Sequence, residues 1–165
     1  MSIKHEIDNR VTILQTAMGK TLWEVQGVEQ MMAKYYAIVF KLNESPTLEE
    51  IGKEFDENFT HTAGRLLGLL RKADANNNVA INKLENFVSE RNWLVHKLRR
   101  EDYLSLSNKE GFEKVIQRVQ TLEAYSAELI FMFHNRLIEY FINLGTPQEL
   151  IEQEQEKALR KIYGS

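Results

Sequence analysis

The chain has 165 residues, 24 of them acidic and 21 basic, and its length is that of one domain with a substantial core. A formal net charge of −3 argues against a general nucleic-acid coat protein, and the absence of cysteine excludes disulfides and thiolate metal sites. No apolar run approaches the ~20 residues of a membrane span and no signal-peptide core is present, so a soluble cytoplasmic protein without membrane association is expected.

Apolar residues recur at helical spacing along the whole chain, and no alternating strand pattern interrupts them. We therefore predict an all-α fold, an up-and-down bundle of about five to six helices with two long ones, forming a single domain over residues 1–165. The predicted helices are, in chain order, 5–42, 48–58, one that begins after Thr60 or Thr62, 79–100, 108–144 and 147–162.

Short signals at the helix ends support these boundaries. Thr47 and Glu50 form a capping box for the second helix, and Ser107 with Glu110 has the same spacing before the longest helix. Gly145 follows that helix in the position where a left-handed residue commonly ends one.

The longest predicted helix spans about 55 Å at 1.5 Å per residue. Its apolar residues extend beyond one face, and a chain of this size is expected to leave part of them uncovered. Because exposed apolar surface commonly marks an interface, we predict a homodimer. The apolar residues are Phe112, Val115, Val119, Leu122, Leu129, Ile130, Phe131, Phe133, Leu137, Phe141, Ile142 and Leu144.

Charge is distributed unevenly between two neighbouring segments. Residues 44–60 contain six acidic residues and one lysine, whereas residues 61–100 contain eight basic and three acidic residues. The basic segment would attract phosphate. Alternatively, its cations pair with the acidic second helix.

The segment with most functional information lies on the fourth predicted helix. Arg91 falls in the middle of an apolar face, and Asn92 lies one turn before His96. A guanidinium in such a place is costly unless it is paired or opens onto a cleft, although its stem can also pack while its head reaches water. Glu85 and Ser89 extend the polar stripe of Asn92 and His96. The apolar face comprises Leu84, Phe87, Val88, Leu94, Val95 and Leu98.

The run from Arg91 through Asn92 to His96 resembles the signature of the HEPN superfamily, an Arg, a polar residue and a His after four intervening positions. The resemblance implies a small all-α bundle that acts as a metal-independent endoribonuclease in toxin–antitoxin or defence systems. It also implies that two protomers pair so that both motifs line one cleft, and that an antitoxin or nucleotidyltransferase is a partner. The Tyr that many such toxins carry two residues after the His is Leu98 here.

With this resemblance, the motif has a coherent chemistry on RNA that needs no cofactor and no metal. His96 would move protons, Arg91 would stabilise charge on the phosphate, and Asn92 would orient the imidazole or bind a phosphate oxygen. The RNA backbone would be held by Lys97, Arg99 and Arg100, with Glu85 and Ser89 as supporting residues.

Two other interpretations fit the same residues. The chain is a non-catalytic helical module that binds nucleotide, RNA or protein through this motif, or Arg91 forms a salt bridge at a dimer interface and binds no ligand.

Overall fold

The computed structural model describes residues 3–42, 47–74, 78–102 and 106–163, and every regular element in these ranges is helical. This confirms the predicted all-α helical bundle with two long helices. Helix α1 covers Ile3–Tyr36 and continues as a π-helical turn over Ala37–Lys41, α2 covers Leu48–Phe59 and α3 covers Ala63–Ala73. Helix α4 consists of an α-helical part Asn78–Asn92, a π-helical turn Trp93–Lys97 and a last α-helical turn Leu98–Glu101; α5 covers Lys109–Asn143 and α6 covers Gln148–Tyr163.

The two long helices, α1 and α5, pack side by side and run in the same direction. The Thr21 hydroxyl donates to the Val119 carbonyl at 3.3 Å, across a sequence separation of 98 residues. The Tyr35 and Phe133 rings lie 5.4 Å apart at the same separation. Two helices whose contacting residues keep a constant difference in residue number are parallel. The first and fifth helices of the bundle therefore run in the same direction.

Helix α4 lies antiparallel to α5 on the other side of the core. Glu90 pairs with Arg118, and farther along the two helices the Tyr125 hydroxyl donates to the Lys83 carbonyl at 2.9 Å. The residue numbers of α4 decrease as those of their contacts in α5 increase, so the two helices run in opposite directions. The side chains that are almost completely buried between these helices are Val28, Met32, Leu84, Phe87, Val119, Leu122, Leu129 and Phe133.

Gly27 of α1 faces Ile130 of α5 at close range. A Cβ atom added to it would lie 2.8 Å from Cδ1 of Ile130, inside van der Waals contact. A glycine in a helix interior costs up to ~1 kcal/mol of stability. In the structure its lack of a side chain makes room for Ile130 against the α1 backbone.

The ends of α5 agree with the prediction at one terminus and correct it at the other. Asn108, and not Ser107, is the N-cap, because its Oδ1 accepts from the Gly111 N–H at 2.8 Å. At the C-terminus Gly145 has φ 87° and donates its N–H to the carbonyl of Ile142 at 2.9 Å. That geometry is the left-handed helix end predicted for Gly145.

The predicted capping box of α2 is present. Thr47 Oγ1 accepts from the Glu50 N–H at 3.2 Å, and the Glu50 carboxylate accepts from the Thr47 N–H at 2.8 Å. The hydrogen bond from the Thr47 backbone lowers the pKa of the Glu50 carboxyl. The box therefore satisfies two N–H groups that α2 itself leaves without a partner.

Replacing Thr47 with alanine is expected to lower the free energy of unfolding by about 1 kcal/mol, because an N-cap hydroxyl is lost. Urea denaturation measures the change. Thr16→Ala is the matched control, since Thr16 is an exposed threonine within α1 that bonds only the carbonyl one turn before it, and its loss should be close to neutral.

Glu50 makes this capping contribution dependent on pH. Its pKa is lower in the folded than in the unfolded chain, so its contribution is complete above the unfolded value of about 4.3 and is lost as the pH falls through the folded value. The stability gap between wild type and Thr47→Ala should therefore narrow in acid. A gap that widens below pH 4 would contradict this account.

Across the parts of the chain that the structure describes, no helix is both long and apolar enough to cross a membrane.

Candidate active site

Arg91 lies on α4 at the edge of the core, with its side chain 21% exposed. Leu84, Phe87 and Leu94 on the same helix are buried and fix α4 against the bundle. The guanidinium is thus held on a rigid element, neither sealed inside the protein nor extended into solvent.

Three groups surround the Arg91 guanidinium. Its Nε donates to Oε1 of Glu29 on α1 at 2.9 Å. One terminal nitrogen donates to Oδ1 of Asn92 at 3.3 Å and lies 3.5 Å from Nε2 of His96, the outer limit of a hydrogen bond. The structure therefore brings together the three residues that the sequence predicts as catalytic, and it adds a carboxylate from another helix.

The contact between Arg91 and His96 depends on the π-helical turn Trp93–Lys97. Residues five apart in an α-helix lie about 140° apart around the axis, which would turn the two side chains away from each other. In the wider turn the Leu98 N–H bonds to the Trp93 carbonyl five residues earlier, so side chains at this spacing lie closer together around the axis than in an α-helix. Wide turns of this kind are frequent at functional sites.

The same turn corrects the predicted apolar face. Val95, predicted to face the core, is 44% exposed, whereas Trp93 is only 4% exposed. The extra residue in the turn changes the phase of the helix, so a regular 100° step no longer gives the orientation of the side chains that follow it.

Trp93 and Glu90 of α4 both contact Arg118 of α5. The Arg118 guanidinium lies 3.9 Å from the centre of the Trp93 ring and makes two hydrogen bonds to Glu90, at 2.7 and 2.9 Å. Hydrogen bonding to Glu90 raises the pKa of Arg118. The indole N–H donates to Asp102 at 2.9 Å. The helix is thereby held on both sides of Arg91.

The three basic residues predicted to bind an RNA backbone follow His96 and are all exposed. Arg100 makes a salt bridge to the adjacent Glu101 at 3.0 Å, and no ion pair within the described ranges engages Lys97 or Arg99.

Of the two explanations for the charge asymmetry, pairing with the acidic helix finds no support, since within the described ranges no salt bridge joins α2 to a base of residues 61–100.

The two predicted supporting residues lie farther away. Glu85 makes a salt bridge to Arg71 of α3 and is about 16 Å from His96 along the helix axis, at 1.5 Å per residue. Ser89 is exposed two residues before Arg91. The structure brings neither side chain into the contacts of the Arg91 guanidinium.

A cleft of about 210 Å³ opens beside the cluster, and sequence reasoning did not find it. It is lined by Gln26, Glu29 and Gln30 of α1, Phe59 at the end of α2, and His61 in the link to α3. Glu29 belongs to both places, because it lines the cleft and accepts from Arg91. Within the described ranges, no three His, Asp or Glu side chains are grouped so that they could hold a metal ion.

No protein-family model matches the sequence, and comparison with curated proteins and with solved structures gave no match. The chemistry of the site is therefore argued from its own residues.

Proposed function

We propose that this chain is a metal-independent endoribonuclease of the HEPN type. The observation that carries the proposal is the convergence of a half-buried guanidinium, an imidazole and an amide on one stretch of helix, at the positions of Arg91, His96 and Asn92. A cation and a proton-transfer group within 3.5 Å of each other are what cleavage of a phosphodiester by an internal nucleophile needs.

The reaction proceeds by attack of the ribose 2′-oxygen on the adjacent phosphorus. The bond from the 2′-oxygen to phosphorus forms while the bond to the 5′-oxygen breaks, giving a 2′,3′-cyclic phosphate and a 5′-hydroxyl. His96 takes the proton of the 2′-hydroxyl, because an imidazole exchanges protons near neutral pH, and the imidazolium so formed returns a proton, directly or through water, to the departing 5′-oxygen. Arg91 donates to the non-bridging oxygens as charge develops, and Asn92 hydrogen-bonds a phosphate oxygen.

Glu29 positions Arg91 for this role. A carboxylate on Nε restricts rotation of the guanidinium and leaves the terminal nitrogens to other partners, one of them at Asn92 and His96. The Glu29 side chain is 23% exposed, so the pair is shielded only partly from solvent.

One helix cannot surround a phosphate, and we propose that a second copy completes the site. Apolar side chains that need a covering partner are present: Trp23 is 76% exposed on α1 and Phe131 is 66% exposed on α5. The dimer would act in the cytoplasm as a toxin or defence component, held in check by an antitoxin or a nucleotidyltransferase.

Incubation of the purified protein with RNA in EDTA tests the proposal. We expect cleavage to persist and the products to carry 2′,3′-cyclic phosphate and 5′-hydroxyl ends, and we expect the mass in solution to be that of a dimer. A strict need for a divalent cation, or products with 3′-hydroxyl ends, would contradict the mechanism.

The second candidate is a non-catalytic module that binds nucleotide, RNA or protein. The Arg91–Glu29 ion pair favours it, because the pair holds the guanidinium in place for binding whether or not a reaction follows. RNA binding by the wild type that is lost in Arg91→Ala, with no cleavage by either protein, would identify this case.

A further inference from the structure

We propose that the cleft between α1 and the end of α2 is a nucleobase subsite, which holds the base next to the phosphate that Arg91 contacts. The proposal deepens the proposed function and rests on it, since it names the part of the RNA that this surface recognises. The cleft has room for about seven water molecules at ~30 Å³ each, enough for a planar heterocycle and too little for a folded peptide.

The position of the cleft follows from Glu29. One oxygen of this carboxylate accepts from Arg91, and the same side chain forms part of the cleft wall. Glu29 thus links the guanidinium that would bind the phosphate to the cleft that would hold the base.

Phe59 supplies a surface on which a base can stack. Its side chain is 44% exposed although it is aromatic, and its ring is stacked on Phe55 with 5.6 Å between centroids and 29° between planes. A base in the cleft would extend this stack by one ring. Aromatic side chains exposed at the edge of a polar cleft are the usual platform for unpaired bases.

The polar groups of the cleft favour bases that carry an amino group. The second oxygen of Glu29 can accept an N–H, and the amides of Gln26 and Gln30 can each donate and accept. Carboxylates accept from the amino group of cytosine, and glutamine pairs with the amino group and ring nitrogen of adenine. Uracil has an oxo group in place of the amino group, so it should bind more weakly.

The wall that carries Phe59 and His61 is fixed by hydrogen bonds before any ligand binds. Asn58 is 3% exposed and its amide donates to the Glu54 carbonyl at 2.7 Å. The Thr60 hydroxyl donates to the Glu57 carbonyl at 2.8 Å, and the His61 N–H donates to the Asn58 carbonyl at 3.1 Å. A wall held in this way loses little conformational freedom when a base enters.

Charge limits the occupant to one base. His61 separates this cleft from a larger one of about 630 Å³ that contains Glu54, Asp56 and Glu57. These three carboxylates outnumber the two cations of the same cavity, Lys41 and Arg65, so its charge disfavours a phosphate. We expect the strand to leave past the exposed cations Lys97 and Arg99 instead.

Titration with the 3′-monophosphates of adenosine, cytidine and uridine tests the subsite without any cleavage. In NMR spectra the side-chain amides of Gln26 and Gln30 should shift, and the adenosine and cytidine compounds should bind about fivefold or more tightly than the uridine compound. Phe59→Leu should weaken binding about tenfold, since stacking on an aromatic ring is lost. Tyr140→Leu is the matched control, because it removes an aromatic ring of α5 that lies against Phe141 and outside the cleft.

Mapping of cleavage sites in a mixed RNA separates this proposal from the proposed function. Cleavage that prefers amino-bearing bases in wild type and loses the preference in Gln30→Ala and Phe59→Leu supports the subsite. Cleavage whose preference is the same in wild type and both variants overturns the subsite and leaves the nuclease. Nucleotide binding that depends on Phe59 in a protein that never cleaves RNA supports the subsite as a binding site and overturns the nuclease. Absence of both binding and cleavage overturns both.

Discussion

Replacing Arg91 or His96 with alanine should each reduce the rate of RNA cleavage by about a hundredfold or more. Removal of a donor that stabilises developing charge costs about 10²–10³ in rate, and removal of a proton-transfer group costs about 10²–10⁴. Growth arrest on expression should disappear in both variants. The measurement is the rate of cleavage of a defined RNA at saturating protein.

Arginine and histidine controls come from outside the site. Arg160→Ala removes an exposed arginine of α6 that pairs with Glu156, and His134→Ala removes an exposed histidine of α5. Both variants should retain the wild-type rate. Equal rates in wild type, Arg91→Ala and His96→Ala would overturn the nuclease mechanism.

Glu29 allows a structural role of Arg91 to be separated from a catalytic one. Arg91→Ala and Glu29→Ala should each lower the free energy of unfolding by about 1 kcal/mol, because the ion pair is partly shielded, and the double variant should cost less than the sum. Glu29→Gln keeps an acceptor for Nε and should retain cleavage within about tenfold of wild type. If Glu29→Gln abolished cleavage as completely as Arg91→Ala, the carboxylate would be more than a positioning group.

Replacing Phe133 with alanine should lower the free energy of unfolding by about 3–5 kcal/mol. Its side chain is 1% exposed and its ring lies against Tyr35 in the layer between α1 and α5. The lost stability is the sum of the transfer free energy of a phenyl ring and the free-energy cost of the cavity left behind. Chemical denaturation at fixed protein concentration measures it.

Phe131, two residues earlier on the same helix, is the matched control. It is 66% exposed in the single subunit, so Phe131→Ala should change the free energy of unfolding by less than about 0.5 kcal/mol when it is measured at a protein concentration low enough to keep the chain monomeric. If Phe133→Ala and Phe131→Ala lowered the free energy of unfolding equally, the direction assigned to the buried face of α5 would be wrong.

The sequence was sufficient for the fold because the helical pattern is long and its ends carry specific chemistry. Thr47 and Gly145 act where they were predicted to act. Asn108 was not recognised as the N-cap of α5, since Ser107 before it has the same capping chemistry and the spacing to Glu110 favoured the serine. A choice between adjacent capping residues depends on backbone angles that spacing does not determine.

The candidate site was predicted in part. Arg91, Asn92 and His96 are local in sequence, and the structure places them in contact. The π-helical turn was missed because a fixed 100° step cannot represent an extra residue, and the orientations of Trp93 and Val95 were wrong or missing for that reason.

Glu29 and the cleft could not be derived because they join segments far apart in the chain. Glu29 is 62 residues before Arg91, and nothing local distinguishes it from other glutamates of α1. The one available signal was the negative charge of Glu29 beside the apolar stripe of α1, which is opposite in sign to the charge of Arg91 on the apolar face of α4. Phe59 and His61 reach the same place through the direction of α2, which only the tertiary fold specifies.

The parallel pairing of α1 and α5 has a consequence for biosynthesis. Thr21 of α1 contacts Val119 of α5, which follows it by 98 residues. Helix α1 therefore leaves the ribosome long before the helix that covers it has been synthesised. At about 5–20 residues per second, the apolar stripe of α1 waits about 5–20 s for that helix. Folding that depends on such distant contacts is slow, and nascent chains that end before Phe133 should be the species that chaperones bind and proteases cut.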